Sequence, residues 1–177
     1  QLNHRHNYYV GGVTIAERHA KKGDEHLRLI EKDKQGCEYF ISQAVYDAPA
    51  TIDMLSSYAR ECRAQNIRPK RMVLTFTPYG SEKTMDFMNW LGISIPESTR
   101  WRILESSNPL AESIKVCRNN LNQIIEAVMP LNIPLGLNIE SLTNRKEEID
   151  ASIRLYKLLK ATLDMALAER ELHSIDS

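Results

Sequence analysis

Charge of one sign, cysteine pairs and long apolar runs are all missing from this chain. Lysine and arginine total 23 and aspartate and glutamate total 23 in 177 residues, a formal net charge of zero. Such a balance leaves no surplus for a polyanion and argues against a nucleic-acid partner. Cys37, Cys62 and Cys117 are odd in number, widely spaced and set in apolar patterns, which excludes a disulfide framework or zinc knuckle and fits reduced thiols in the cytoplasm. No window approaches ~18 consecutive apolar residues, and the opening Gln-Leu-Asn-His-Arg-His lacks a signal peptide's apolar core, so no membrane partner is expected. His4 and His6 alternate like ligands on one strand face, but without third and fourth ligands no metal site is expected. Neither a GxGxxG nor a GxxxxGK[ST] loop occurs, which removes the usual nucleotide-binding folds. The chain does not begin with methionine and runs almost at once into a strand, so Gln1 is expected to lie inside a longer natural chain.

What is present is an alternation of short apolar runs and helical patterns, with 42% hydrophobic residues, enough for one sizeable core. A first strand is predicted near Tyr8 to Ile15, then a helix from Gly23-Asp24 with Leu27, Leu29 and Ile30 inward, ending near Gly36. Residues 38–43 read as a central strand. Pro49 opens a helix whose Ile52, Leu55, Ala59 and Cys62 recur at helical spacing, and Met72 to Phe76 is the next strand. Thr77-Pro78-Tyr79-Gly80 breaks it, and Ser81 is a candidate N-cap for a helix through Leu91. Ile95-Pro96-Glu97 starts a short extra helix through Leu104. Asn108-Pro109 starts a long one whose Leu110, Ile114, Cys117, Leu121, Ile124 and Val128 form one apolar face. Pro134 to Ile139 is a fourth strand. Asn144 with Glu147 fits a capping box for a last helix carrying Ile149, Ile153, Tyr156, Leu159 and Leu163. Trp90 and Trp101 read as core packing, and residues 171–177 as a fraying tail.

Four strands each followed by a helix imply a parallel sheet with right-handed crossovers. The expected fold is therefore α/β, with parallel (βα) units forming the second half of a (βα)8 TIM barrel over residues 1–170 and an extra helical segment before the last strand. A full barrel needs roughly 250 residues. An isolated half leaves two parallel edges open, so a missing N-terminal half or a partner subunit is expected, and with it an oligomer. In such folds chemistry gathers where strands end. Here the apolar runs stop in Ala16-Glu17-Arg18-His19, in Ser42-Gln43 and in Tyr46-Asp47.

Those polar endings, with Glu25 and Lys32 along the next helix, the run Gly36-Cys37-Glu38-Tyr39-Phe40-Ile41-Ser42-Gln43, Thr77-Pro78 and the Gly92 to Pro96 connection, together resemble the methylenetetrahydrofolate reductases. These are flavoproteins on an eight-stranded βα barrel, and the resemblance covers only the barrel's second half. It implies reduction of 5,10-methylenetetrahydrofolate to 5-methyltetrahydrofolate through bound FAD, with NADH or NADPH as electron donor, in one-carbon metabolism and methionine biosynthesis. It also implies site residues. Gln43 matches the glutamine that hydrogen-bonds the pterin, Thr84 falls where a glutamine often contacts substrate, and Arg145 falls near an arginine at the folate end. His19, Glu25 and Lys32 match positions on the flavin side, and Ile15 stands where many members carry a tyrosine against the flavin. Glu140 is an unconventional acid at the mouth, able to bind a polar substrate edge or to pair with Arg145. The family's catalytic acid comes from the first barrel strand, so no catalytic residue is assigned. The alternative is a non-catalytic folate-binding or assembly subunit with a reductase-like barrel.

Overall fold

A computed structural model describes residues 8–175; His4, His6 and the last two residues of the expected tail lie outside the described residues. In chain order the elements are β1 Gly11–Thr14, α1 Ala16–Lys22, α2 Glu25–Lys34, β2 Tyr39–Ala44, α3 Ala48–Ala64, β3 Arg71–Phe76, α4 Glu82–Trp90, α5 Glu97–Leu104, α6 Pro109–Val128, a 3-10 turn Met129–Leu131, β4 Leu135–Ile139 and α7 Lys146–Ile175. Three helices start at side chains that satisfy their free N–H groups. Asp47 Oδ1 accepts from Ala50 N at 3.0 Å, Ser81 Oγ from Thr84 N at 3.2 Å and Asn108 Oδ1 from Ala111 N at 3.2 Å. Caps of this kind stabilise by about 1 kcal/mol each.

The strands lie in the order β1-β2-β3-β4, every neighbouring pair parallel. Right-handed crossovers between sequential strands put all helices on one face. That face is sealed: Phe40, Met72, Leu74 and Phe76 are fully buried in a core shared with Leu29, Met54, Leu55 and Leu121. On the other face Ile41 and Val73 are half-buried, and Val13 on the edge strand is 57% exposed. Among the described residues no helix is long and apolar enough to cross a membrane.

The barrel expectation is corrected by this topology. Among the described residues the chain forms a small α/β unit with an open four-stranded sheet, β1 and β4 at its edges, in place of the expected barrel. A βα repeat reads alike in both architectures, since a right-handed crossover serves either. The extra helical segment before the last strand is present as α5 and α6.

Other local expectations also change. Ile15 ends the first strand, and Ala16–Lys22, all tolerated or favoured in helices, form α1, closed by Gly23 in the left-handed region at φ 69°. Leu27 is exposed, leaving Leu29 and Ile30 to face the core. Trp90 and Trp101 are exposed: Trp90 stacks on Phe87, and Trp101 lies beneath the Arg100 guanidinium. The last helix runs to Ile175 in place of a fraying tail. Its start is fixed by Thr143, whose Oγ1 accepts from Arg145 N, and not by the predicted Asn144 box. Its inward face is Glu148, Ala151, Ser152, Leu155, Leu159 and Leu163, whereas Ile149, Ile153 and Tyr156 face outward.

That rotation of α7 is testable. Leu155→Ala should destabilise by about 2–5 kcal/mol through loss of a fully buried side chain. Ile153→Ser, at a half-exposed position, should stay within about 0.5 kcal/mol. Urea denaturation of both variants checks this, and the reverse ranking would place the helix in the other rotation.

Candidate functional site

The C-terminal ends of the four strands converge on one rim. Between Ile41↔Val73 and Ala44↔Thr75 the register slips, three steps along β2 against two along β3. This bulge is stabilised by Ser42 Oγ, which accepts from Thr75 N at 3.0 Å, and it sets Gln43 at the strand end, where bulges commonly re-aim a side chain. Gln43 Nε2 donates to Leu91 O at 2.8 Å, next to Gly92 in the left-handed region. Gln43 Oε1 is buried and has no partner.

A cleft of about 270 Å³ opens here, lined by Val13, Ile15, Ile41, Gln43, Leu91 and Glu140 among others. Its floor is apolar. Its polar groups come from different strands: Gln43 from β2, Thr75 from β3, and Glu140 from just past β4. Asn138 Nδ2 donates to Thr75 Oγ1 at 3.1 Å and to Glu140 Oε1 at 2.9 Å, tying the β3 and β4 ends together. The expected Glu140–Arg145 alternative is not what forms, for Glu140 is held by Asn138.

Leu142 also lines a neighbouring cleft of about 430 Å³ with Lys83, Thr84, Phe87 and Arg145. Arg145 is exposed there. Phe87 stacks on Trp90 with ring centroids 5.8 Å apart, presenting an aromatic surface beside two cations. Thr84 is buried, and its Oγ1 donates to Glu148 Oε1 at 2.8 Å. Glu148 Oε2 accepts from Thr143 Oγ1 at 2.5 Å, so this carboxylate anchors the loop that carries Arg145.

Of the residues expected on a flavin side, Ile15, Glu25 and Lys32 meet around the end of β1, and His19 lies apart from them. Ile15 lines the first cleft. His19 faces a separate groove between α1 and α3, with Asp53 and Ser57, and packs edge-on against His26, whose pKa is lowered by burial and by His19. Glu25 is fully buried, accepting from Thr14 Oγ1 and Ile15 N, both at 3.1 Å. Lys32 Nζ donates to the Val13 carbonyl on the free edge of β1. Two of the four thus serve the fold around β1, and Ile15 alone of them lines the cleft at the strand ends. Of the expected folate-side residues, Gln43 lies in one cleft and Arg145 in the adjoining one.

Two groups at this rim, Asn138 and Phe87, are found by the structure alone, and a third, Glu17, gains its role there. Asn138 and Phe87 carry no motif, although Phe87 lies on the predicted helix next to Thr84. Glu17 belongs to the Ala-Glu-Arg-His ending, so its signal was available. Burial lifts its carboxyl above the ordinary range and nearby Asp47 adds to the lift, against backbone N–H groups of Glu17 and Ser94. Deeper in, Tyr46 Oη donates to Thr77 O at 2.5 Å, and burial pushes the Cys117 thiol beside it up to about 12. That thiol is inert packing.

No protein-family model and no curated protein matches the chain. Among solved structures, an uncharacterized protein from Clostridium thermocellum that binds two copies of 5-methyl-5,6,7,8-tetrahydrofolic acid is 44% identical, with a TM-score of 0.80. The match covers 86% of this chain and 53% of that one, so this chain spans about half the neighbour's length. What the matched portions have in common is the small open α/β arrangement, in keeping with the correction of the barrel expectation.

The Glu17 environment gives a signed prediction. A folded-state value raised above the unfolded one contributes stability that is present at low pH and lost as pH rises through the folded value. Glu17→Gln should therefore raise the melting temperature at pH 7 and leave it unchanged below the ordinary carboxylate range. Thermal melts at both pH values check this; a variant less stable at pH 7 would contradict it.

Proposed function

We propose that this chain binds a reduced folate at the C-terminal rim of its sheet and acts as a folate-binding or assembly subunit. The observation that carries the reading is the likeness, at 44% identity and a TM-score of 0.80, to a protein that binds 5-methyltetrahydrofolate. The clefts suit the parts of that ligand. A flat pterin fits against the apolar floor of Val13, Ile15 and Ile41, with Gln43 at its edge offering an acceptor that has no partner among the described residues. A benzoyl ring fits beside Phe87, and the glutamate carboxylates find Lys83 and Arg145.

The resemblance to the methylenetetrahydrofolate reductases supports the same ligand class. A flavin, when bound, supplies hydride transfer and must lie face to face with the pterin. Glu25 and Lys32 spend their polar groups on the end of β1 and His19 faces another groove, which favours binding without that chemistry.

Isothermal titration with 5-methyltetrahydrofolate should give saturable binding. Gln43→Ala removes a ligand acceptor and a contact to Leu91, and should weaken it about tenfold, the scale of one hydrogen bond. Unchanged affinity in that variant would remove Gln43 from the site. The protein purified from its full-length gene should be colourless; a stoichiometric flavin spectrum would turn the assignment toward the reductase.

A further inference from the structure

We infer that Glu140 is the specificity-determining residue of this site: its carboxylate takes the paired donors, the 2-amino group and N3–H, of a 2-amino-4-oxopteridine, with Gln43 Oε1 accepting beside it. The inference rests on the folate reading and adds which edge of the ring is recognised, and by which group.

The carboxylate is held in place by the fold. Glu140 N donates to Phe76 O at 3.0 Å, and Glu140 O accepts from Ser152 Oγ at 3.3 Å, so the main chain is fixed from the β3 side and from α7. Asn138 Nδ2 holds Oε1 at 2.9 Å. Among the described residues no lysine or arginine forms an ion pair with Glu140, and Arg145, the nearest cation in sequence, lines the adjoining cleft. Across the cleft, Gln43 spends its amide nitrogen on Leu91 O at 2.8 Å, leaving Oε1 buried with no donor. A buried acceptor without a donor is unfavourable, and a ligand N–H removes that cost.

The side-chain oxygens of Gln43 and Glu140 consequently stand as acceptors at this end of the cleft, beside the buried hydroxyls of Ser42 and Thr75. Gln43 donates from its amide nitrogen to Leu91 O, and the Asn138 amide nitrogen donates to both Thr75 and Glu140. Of the edges of a 2-amino-4-oxopteridine, the one carrying the 2-amino group and N3–H offers two adjacent donors. Two parallel N–H groups match the two oxygens of a carboxylate, as a guanidinium does. The O4 edge, an acceptor, would meet a carboxylate unfavourably. A net-neutral chain thus selects its ligand by local donor and acceptor pattern.

The test pairs 5-methyltetrahydrofolate with its 2-desamino-2-methyl analogue, titrated calorimetrically into wild-type protein, Glu140→Gln and Arg145→Ala. Wild type should prefer the amino compound by about 10- to 100-fold, the scale of hydrogen bonds to a charged group. Glu140→Gln should lose most of that preference, binding the amino compound more weakly and the analogue as wild type does. Arg145→Ala should weaken both ligands by the same factor. Equal binding of the two ligands by wild type overturns the inference without any variant, and so does a Glu140→Gln penalty that is absent or identical for both. Either result leaves folate binding standing. Binding of neither ligand by wild type overturns the folate reading and the inference together.

Discussion

Parallel strands laid down in sequence order oblige every helix to cross on the same side of the sheet. One face is thereby sealed: Phe40, Met72, Leu74 and Phe76 lose all contact with solvent, each burial stabilising by about 1.5–3 kcal/mol before chain entropy is counted. The same constraint leaves the opposite face short of cover, so that Ile41 and Val73 are only half-buried. It also brings all four C-terminal strand ends to one rim. Ile15, Gln43, Thr75 and Glu140 are scattered over much of the chain and meet only because each ends or follows a strand of this sheet.

The rim is held by buried polar groups. Glu25 is buried under β1 and accepts from Thr14 and Ile15; Glu148 is buried under α4 and accepts from Thr84 and Thr143. Both oxygens of Glu148 accept from hydroxyls, whereas Glu25 accepts through Oε1 alone and its Oε2 is buried without a partner; among the described residues neither carboxylate forms an ion pair with a lysine or arginine. Hydrogen bonds of this kind are directional and fix the loops on which the exposed groups ride, Ile15 on one side and Arg145 on the other. Positioning of this sort lowers the ordering cost of binding.

The elements were legible where a single local signal decides them. Pro49 and Pro109 open helices, Ser81 caps one, and the apolar face of α6 runs from Cys117 through Leu121 and Ile124 to Val128 as the spacing predicts. The failures share a cause. Sheet closure depends on strand number and curvature, which the βα alternation does not encode, so the sequence reads as half a barrel where the sheet is open. On α7 the hydrophobic residues are spread around the helix, and Ile149, Ile153 and Tyr156 compete as a face with Leu155, Leu159 and Leu163, which only packing resolves. Gln43 and Arg145 lie in the two adjoining clefts of the rim. Glu25 and Lys32 bond to the end of β1, and Thr84 lines the second cleft while holding Glu148, an arrangement that depends on burial and not on spacing.

A net charge of zero suggests an electrostatically featureless protein, yet the rim is polarised. Lys83 and Arg145 stand at one end, Glu140 at the other, with Glu17 in the first turn of α1 and Asp47 at the N-cap of α3 beyond. Were Glu140 and Arg145 to pair, as their spacing of five residues permits, each would cancel the other and the rim would lose its direction. Asn138 prevents this by drawing the carboxylate back over the strand ends, while Thr143, fixed by Glu148, holds the backbone at Arg145 on the far side of Leu142. Two neutral side chains, an amide and a hydroxyl, therefore keep opposite charges apart. A ligand with a donor-rich ring at one end and carboxylates at the other can lie in such a field in one orientation only, and the short segment from Asn138 to Arg145 sets that direction.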